Sequence, residues 1–351
     1  MKVALVHYRI AHAGGLERRL LNYTRYFLDR GDEVTLLFAQ RDPSVKLPKQ
    51  VILRHLPVRL YPKPLRMGAF GNKVKKELEK GGYDFDLSLG RTPGAQLLVC
   101  PGNHRGFLHH MERRWRYTDA IEARLDIKAF ESAQHILAAS HQMKEELVDW
   151  YMVPEEKISV LYPPSDVSRF SNALKTQQAA LRKKWGMSPA KKNFLFVSYS
   201  HRRKGLSILL ELFRELQQEP FQLYIAGEKP KRPLPANITY LDFIEQMPEL
   251  YAAADYLIHP AFYEPFGQIV TESLQCGTPV LVSATTGAGE LLCPDEGMVV
   301  PNQQVSNWVQ GLHELISRNL KVPPKFAERN GLTLPQHMKE MLTIWADLPR
   351  P

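Results

Sequence analysis

The chain has 351 residues, enough for two domains with ordinary cores, and its 44% hydrophobic and 24% charged residues are those of a globular protein. No apolar run approaches the ~20 residues of a membrane span, no repeat stands out, and three cysteines (Cys100, Cys276, Cys293) without a CxxC suit a reducing cytoplasm rather than a disulfide framework or a zinc site. The net charge of +9, of which +7 falls in residues 1–170, admits nucleic acid, anionic lipid or a phosphorylated substrate as partner.

The N-terminal stretch MKVALVHYRIAHAGG lacks the long apolar core and cleavage site of a signal peptide and reads as a strand, 2–9, entering a glycine turn at 11–15. An amphipathic helix, 16–31, ends in Gly31, and strands follow at 33–39 and 51–57. A helix at 72–82 leads to a strand at 85–90, and a strand at 96–102 leads to helices at 104–116 and 118–133. Strand 135–140, helix 141–151 and strand 158–164 complete this half. Residues 163–170 (PPSDVSRF) read as a linker, and the pattern then restarts. A basic helix at 176–186 precedes strand 193–200, the turn HRRKG (201–205) and helix 206–219. Strands at 221–227 and 238–243, helix 244–255, strand 256–261, a short helix closed by Gly277, strand 279–284 and helix 304–319 follow. A final helix spans 332–349. Alternation of this kind predicts an α/β fold with two doubly wound parallel sheets facing across a cleft. Ligands in such sheets bind beyond the carboxyl ends of the strands.

The richest chemistry stands at one such end. In HPAFYEPFGQIVTESLQCG (259–277) a strand runs through a Pro-Phe-Gly turn into a helix. The N–H groups of Phe266, Gly267 and Gln268 would form an anion or oxygen site at the helix start, and Gly267 would allow close backbone approach. Glu264 just outside can accept from hydroxyls, and Glu272, two turns in, can reach a vicinal diol. Two carboxylates around a helix N-terminus suit a polyol joined to a phosphate, such as a sugar nucleotide. The alternatives are that Glu264 only complements the helix dipole and that Glu272 lies on a solvated face. The apolar neighbours Ile269, Val270 and Leu274 argue against the second.

The stretch resembles the E-x7-E motif of the retaining family 4 glycosyltransferases, in the form HPAxYEPFGxxxxE. GGLE (14–17) resembles that family's glycine loop, RRKG (202–205) its diphosphate motif, and TTGAGELL (285–292) its Gly-x-x-Glu element. PGNHRGFLHHMERRW (101–115) is similar to a segment of the branch that includes lipopolysaccharide-core glucosyltransferases. The resemblance implies the GT-B fold, two Rossmann-like domains. The first, the acceptor domain, would hold 1–166 plus 335–351, and the second, the donor domain, 167–334. It implies that Glu264 faces the donor sugar with the backbone of Phe266 and Gly267, that Glu272 binds the ribose, and that Arg203, Lys204 and Gly15 hold the diphosphate. Cations there would stabilise the leaving group. Gly14 would approach phosphate or acceptor, and His104 would join Glu264 at the reacting sugar unless it merely caps or packs. Glu290 would approach the pyrophosphate or cap a helix. Retention of configuration, by front-face attack with the departing phosphate taking the proton, also comes from the resemblance. The donor would be a UDP-, GDP- or ADP-linked sugar, with no cofactor and no metal. Asp84-Phe85-Asp86 matches a metal motif of a different fold and is discounted.

Residues 105–128 mix arginines with aromatics. Phe107, Met111 and Trp115 fall on one face of the expected helix, and Arg113, Arg114, Trp115 and Arg116 would touch an anionic membrane, unless the aromatics are core. The expectation is a cytoplasmic enzyme on the inner face of the inner membrane, acting on a glycan or lipid-linked acceptor, with no nucleic acid as partner. Closure about 163–170 would assemble the site. The alternatives are a nucleotide-sugar epimerase of the same fold and a non-catalytic protein binding membrane or polyanion.

Overall fold

Runs of Val, Leu, Ile and Phe too short for a helix become fully buried strands, and the longer amphipathic runs become helices that cover them. The structure, a computed structural model, describes residues 1–11 and 14–349; His12 and Ala13 of the expected glycine turn lie outside them. The chain divides into two compact units, Met1–Tyr162 with His337–Pro351, and Pro163–Gln336. The divisions expected at 166/167 and 334/335 thus fall a few residues away.

Besides a short parallel pair, Arg9–Ile10 with Gln40–Arg41, unit 1 holds the seven strands of its main sheet: β1 (Lys2–Val6), β2 (Glu33–Phe38), β3 (Ile52–His55), β4 (Phe85–Leu89), β5 (Leu97–Cys100), β6 (His135–Ala138) and β7 (Ile158–Val160). They form one parallel sheet in the order β3-β2-β1-β4-β5-β6-β7. The helices are α1 (Gly15–Asp29), α2 (Arg66–Glu79), α3 (His104–His110), α4 (Tyr117–Ser132) and α5 (His141–Tyr151). Leu20, Tyr23 and Phe27 of α1 repeat at helical spacing, and all three are buried.

Unit 2 holds β8 (Lys192–Ser198), β9 (Phe221–Gly227), β10 (Ile238–Tyr240), β11 (Tyr256–His259), β12 (Val280–Ser283) and β13 (Gly297–Val300). Their order is β10-β9-β8-β11-β12-β13, again all parallel. The helices are α6 (Gln178–Lys184), α7 (His201–Lys204), α8 (Leu206–Glu215), α9 (Met247–Ala253), α10 (Gln268–Gln275), α11 (Val305–Ser317) and α12 (Phe326–Arg329). The last helix, α13 (Leu334–Ala346), begins in unit 2 and continues in unit 1. Phe194, Phe196, Leu223 and Ile258 of the sheet pack with Leu209 and Phe213 of α8 and with Trp308 and Leu312 of α11. Both units are therefore doubly wound, as expected. In each, the order reverses beside the first strand, and that reversal marks the ligand crevice of such sheets.

Two expectations need correction. The stretch 163–170 is no free linker. Ser165 N–H donates to Leu332 O (2.8 Å), its hydroxyl donates to Thr271 (3.1 Å), and Phe170 is buried with its ring 6.1 Å from that of Tyr251. Its apolar ends anchor it within unit 2. The helix expected over 104–116 stops at His110, because Glu112 takes a left-handed φ of 47°. Phe107, Met111 and Trp115 consequently do not share a helix face.

Candidate active site

In unit 2 the order reverses between β8 and β11, and both strands end in loops that carry charge. After β8 the chain makes a single helical turn, HRRK, and leaves it through Gly205 at φ +80°. A Cβ on Gly205 would stand 1.9 Å from the carbonyl oxygen of Pro260, so only glycine lets the basic turn lie against the end of β11. Phe262 N–H donates to Arg203 O (2.8 Å), and Arg203 Nη1 donates to Tyr263 O (2.7 Å).

This packing brings three basic groups to one carboxylate. Glu264 Oε2 lies 3.1 Å from Arg203 Nη1, 3.7 Å from Lys204 Nζ and 3.4 Å from His259 Nε2. Burial pushes the Glu264 carboxyl up, but Lys204, His259 and Arg203 outweigh it and hold the group far below the usual carboxylate range. Burial lowers both Lys204 and His259, with Glu264 opposing in each case. His259 is fully buried, and neither of its ring nitrogens has a hydrogen-bond partner among the described residues; 3.4 Å to Glu264 is too long for a good one. Arg203 and Lys204 thus face Glu264, with the charge of Glu272 also acting on Lys204, beside a buried imidazole that has no close hydrogen-bond partner among the described residues. An anionic ligand with hydroxyl groups would complete such a set.

The Glu264 loop is pinned from its far side. Residue 264 forms a parallel bridge to Thr286, Glu264 N–H donates to Thr285 O (3.0 Å), Gly287 N–H donates to Glu264 O (3.0 Å), and Ala288 N–H donates to Phe266 O (2.7 Å). Phe266 is buried, and Gly267 caps α10 at φ +96°. The first N–H groups of α10 have no acceptor within the helix. Glu272 is buried and accepts from the hydroxyl of Tyr251 on α9 at 3.0 Å, so it does not lie on a solvated face. Glu290 is exposed on the turn Gly287–Leu291.

In unit 1, Gly14 begins α1 at φ +110°, and a Cβ there would meet the Glu17 carboxylate at 2.0 Å; Gly15 is the first helical residue. His104 is the first residue of α3, capped by Asn103, whose side chain accepts from Gly106 N–H at 2.6 Å. Its own N–H donates to Asp126 (2.7 Å), and its ring Nε2 lies 2.9 Å from Asp119 Oδ1. Asp119, Glu122 and Asp126 share one face of α4. Asp119 also pairs with Arg113, Glu122 pairs with Arg91, and Asp126 pairs with Arg91 at 2.7 Å and accepts from Tyr151 at 2.8 Å. Sequence reasoning missed this network. Its signal was the i, i+3, i+7 spacing of three acids, a pattern that usually marks a solvated face. The discounted Asp84 and Asp86 accept from the N–H groups of Lys2 (2.7 Å) and Gln96 (2.6 Å).

The stretch 105–128 splits in two. Arg105 lies over the Tyr151 ring (4.8 Å) and Arg113 over Phe107 (5.7 Å), so both are held within unit 1. Of the four residues expected at a membrane, Arg113 is the one tied to Phe107 and Asp119. Arg114, Trp115, Arg116 and Tyr117 are exposed, Trp115 to 54% and Tyr117 to 86%. A second exposed cluster escaped notice: Leu60, Tyr61 and Leu65 among Arg59, Lys63 and Arg66. Three prolines within 57–64 confine this run to irregular chain and one 3₁₀ turn, Lys63–Leu65, and Leu60, Tyr61 and Leu65 stay uncovered while Val58 is buried. No helix among the described residues is long and apolar enough to cross a membrane.

A doubly wound pair of units, with basic and acidic loops at the strand-order reversal of the second, defines an α/β protein with a charged crevice at the usual ligand position of such sheets. Two family models match, Glycosyltransferase Family 4 over residues 13–169 and Glycosyl transferases group 1 over 177–330, and together they span most of the chain. The chain belongs to the group 1 glycosyltransferases, with an N-terminal family 4 domain. It is similar to a probable transglycosylase of Burkholderia thailandensis, 28% identical over 299 residues, which are 85% of this chain and 82% of the relative. It is also similar to the lipopolysaccharide glucosyltransferase WaaG of Escherichia coli, 24% identical over 82% of this chain and 81% of that one. A crystal structure of WaaG superimposes with a TM-score of 0.76 at 20% identity, covering 93% of each chain. Anabaena HepE in complex with UDP and glucose superimposes with a TM-score of 0.74 at 16% identity, covering 99% and 100%. The fold is GT-B.

Proposed function

We propose that this protein is a retaining hexosyltransferase. It takes a UDP-, GDP- or ADP-linked sugar and passes the hexose to a glycan or lipid-linked acceptor in bacterial lipopolysaccharide or another cell-surface polysaccharide. The observation that carries this reading is the set Arg203, Lys204, His259 and Glu264, in which positive charge exceeds negative at the reversal of the unit 2 sheet. A nucleoside diphosphate would neutralise the excess, and the two cations would stabilise it as a leaving group without a metal ion. Glu264 and the backbone of Phe266 and Gly267 would hold the sugar, Glu272 the ribose, and Gly14 and Gly15 phosphate or acceptor. His104 would meet a sugar hydroxyl. The departing phosphate takes the acceptor proton, so no protein nucleophile is needed.

Unit 1 would take the acceptor on the cytoplasmic face of the inner membrane. The exposed Trp115 and Tyr117 with Arg114 and Arg116, and Leu60, Tyr61 and Leu65 with Arg59, Lys63 and Arg66, support a peripheral contact with anionic lipid. Both loops lead into packed helices: a Cβ on Gly68 of α2 would touch Leu125 of α4 at 3.7 Å.

A thermal-shift panel of UDP, GDP, ADP and CDP with their hexose conjugates, on wild type and Glu272→Ala, tests the donor site. A ligand that binds only the folded state raises Tm by mass action. One nucleotide series should shift the wild type and lose its shift in the variant. If nothing shifts at millimolar concentration, the donor reading fails and a non-catalytic binding protein takes its place.

A further inference from the structure

His104 has two ring nitrogens, and its surroundings settle their roles. Nε2 faces Asp119 Oδ1 at 2.9 Å. The Asp119 carboxyl is buried, which opposes ionisation, but the Arg116 N–H, His104 and Arg113 outweigh that and hold it below the usual range. An ionised carboxylate only accepts, so Nε2 must carry the hydrogen. Nδ1 is hydrogen-bonded to none of the described residues. With Nε2 protonated and the ring neutral, Nδ1 offers a lone pair. The backbone on which this ring stands is fixed independently. Asp126 holds the His104 N–H, and the Tyr151 hydroxyl, itself donating to Asp126, accepts the Arg105 N–H at 3.0 Å.

Asp119 has a second task. It is the third residue of α4, and its Oδ2 accepts the Arg116 N–H at 2.7 Å as a helix cap. The cap uses one oxygen and the histidine the other. A cap alone would leave Oδ1 to solvent or to Arg113.

We propose that Asp119 is the positioning residue of His104: its carboxylate fixes the ring as the Nε2–H tautomer and presents Nδ1 to accept a hydrogen bond from a sugar hydroxyl. This rests on the reading of His104 as a sugar-facing residue. Asp119→Asn separates the two tasks. The amide oxygen keeps the cap on Arg116, while the NH₂ group points a donor at Nε2 and drives the proton to Nδ1. A tautomer inverted in this way disables a histidine whose geometry is otherwise intact.

The test is carried out on the full chain with ¹⁵N-labelled histidine, His104 being assigned from the signals lost in His104→Ala. Long-range ¹H–¹⁵N correlations should show Nε2–H in wild type and in Arg113→Gln, and Nδ1–H in Asp119→Asn. With UDP-glucose as probe, kcat for UDP release should fall roughly tenfold or more in Asp119→Asn, with KM little changed. A wild-type ring protonated at Nδ1 overturns the proposal. So does an unchanged kcat in Asp119→Asn while His104→Ala loses activity. If His104→Ala turns over like wild type, the reading of His104 itself fails, and the proposal with it. The ring signals then separately report whether Asp119 sets the tautomer. If the Asn variant does not fold, the wild-type tautomer and its persistence in Arg113→Gln decide.

Discussion

The two units wind their sheets in the same order yet use charge in opposite ways. In unit 2, Arg203 and Lys204 face the carboxylate of Glu264, Glu272 also acts on Lys204, and His259 is buried with no hydrogen-bond partner among the described residues. In unit 1, the three acids on one face of α4, Asp119, Glu122 and Asp126, are matched by Arg91, Arg113, His104 and backbone N–H groups. Surplus charge beside an unsatisfied group marks a place built for a ligand. Balanced charge marks a scaffold.

The largest expected effect follows from that contrast. Lys204→Ala should lower kcat for donor turnover roughly 100- to 1000-fold, about 3–4 kcal/mol, because charge on the leaving diphosphate goes unmet. Its Tm should fall only modestly, since burial already disfavours the ammonium and Arg203 and His259 remain beside Glu264. Arg91→Ala should do the reverse, costing about 3 kcal/mol of folding stability by leaving the fully buried Asp126 without its cation. Steady-state kinetics beside thermal melts on both variants check the pair. A large Tm loss in Lys204→Ala would erase the distinction.

Glycines sharpen it next. Gly205→Ala should cost about 3 kcal/mol, because its Cβ meets the Pro260 backbone carbonyl, which cannot move aside, and its φ of +80° is strained for alanine. Gly14→Ala should cost about 1–2 kcal/mol, for backbone strain alone, since the Glu17 side chain it meets can swing away. Denaturant unfolding monitored by hydrogen exchange in each unit would show equal losses if the neighbouring atoms did not matter.

These contrasts also explain what the sequence could reveal. Most of the unit 2 cluster was legible because Arg203, Lys204, Glu264 and Gly267 lie in two short loops at strand ends; His259, inside β11, was not singled out, because its place beside Glu264 comes from packing. The alternation of strands and helices likewise exposed both sheets. The unit 1 network was not legible, because Asp119 and Asp126 reach His104 only through the packing of α3 on α4. The periodicity of Phe107, Met111 and Trp115 continued through Glu112, where only the backbone shows that the helix has stopped. Proline and serine in 163–170 suggested a linker, yet Phe170 anchors the stretch in a core.

A pH scan separates the units more gently. In unit 1, His337 donates from Nδ1 to Tyr162 O (2.9 Å) and accepts from Tyr23, and burial pushes its pKa down to about 3. The unfolded chain then binds the extra proton, so stability falls as pH drops from about 6.5 toward 3. Asp86 opposes this. Burial raises it to about 6, so its contribution falls as pH rises from about 4 to 6. The larger shift of His337 should outweigh that of Asp86 on the acid side, and His337→Gln should shrink the acid loss. In unit 2, burial brings Lys175 down to about 8, so its contribution to stability should rise between about pH 8 and 10.5, while Cys276, raised by burial to about 12, opposes it above about pH 9. Exchange protection measured unit by unit across both windows checks the signs. Loss in both units in the same window would break the comparison.

The smallest effect on folding should come from the surface that sets unit 1 apart. Leu60 is fully exposed and Leu65 about half exposed, so Leu60→Ser with Leu65→Ser removes almost no buried apolar area and should move stability by no more than about 0.5 kcal/mol. Its expected consequence lies elsewhere. The two leucines stand among Arg59, Lys63 and Arg66, and a lipid surface rewards apolar insertion and cation approach together. Cosedimentation with vesicles containing phosphatidylglycerol should therefore weaken several-fold in the double variant and weaken further at high salt. Binding to purely zwitterionic vesicles should be slight throughout. Equal sedimentation of variant and wild type would confine lipid contact to Arg114, Trp115, Arg116 and Tyr117, or dismiss it if replacing those residues also changed nothing.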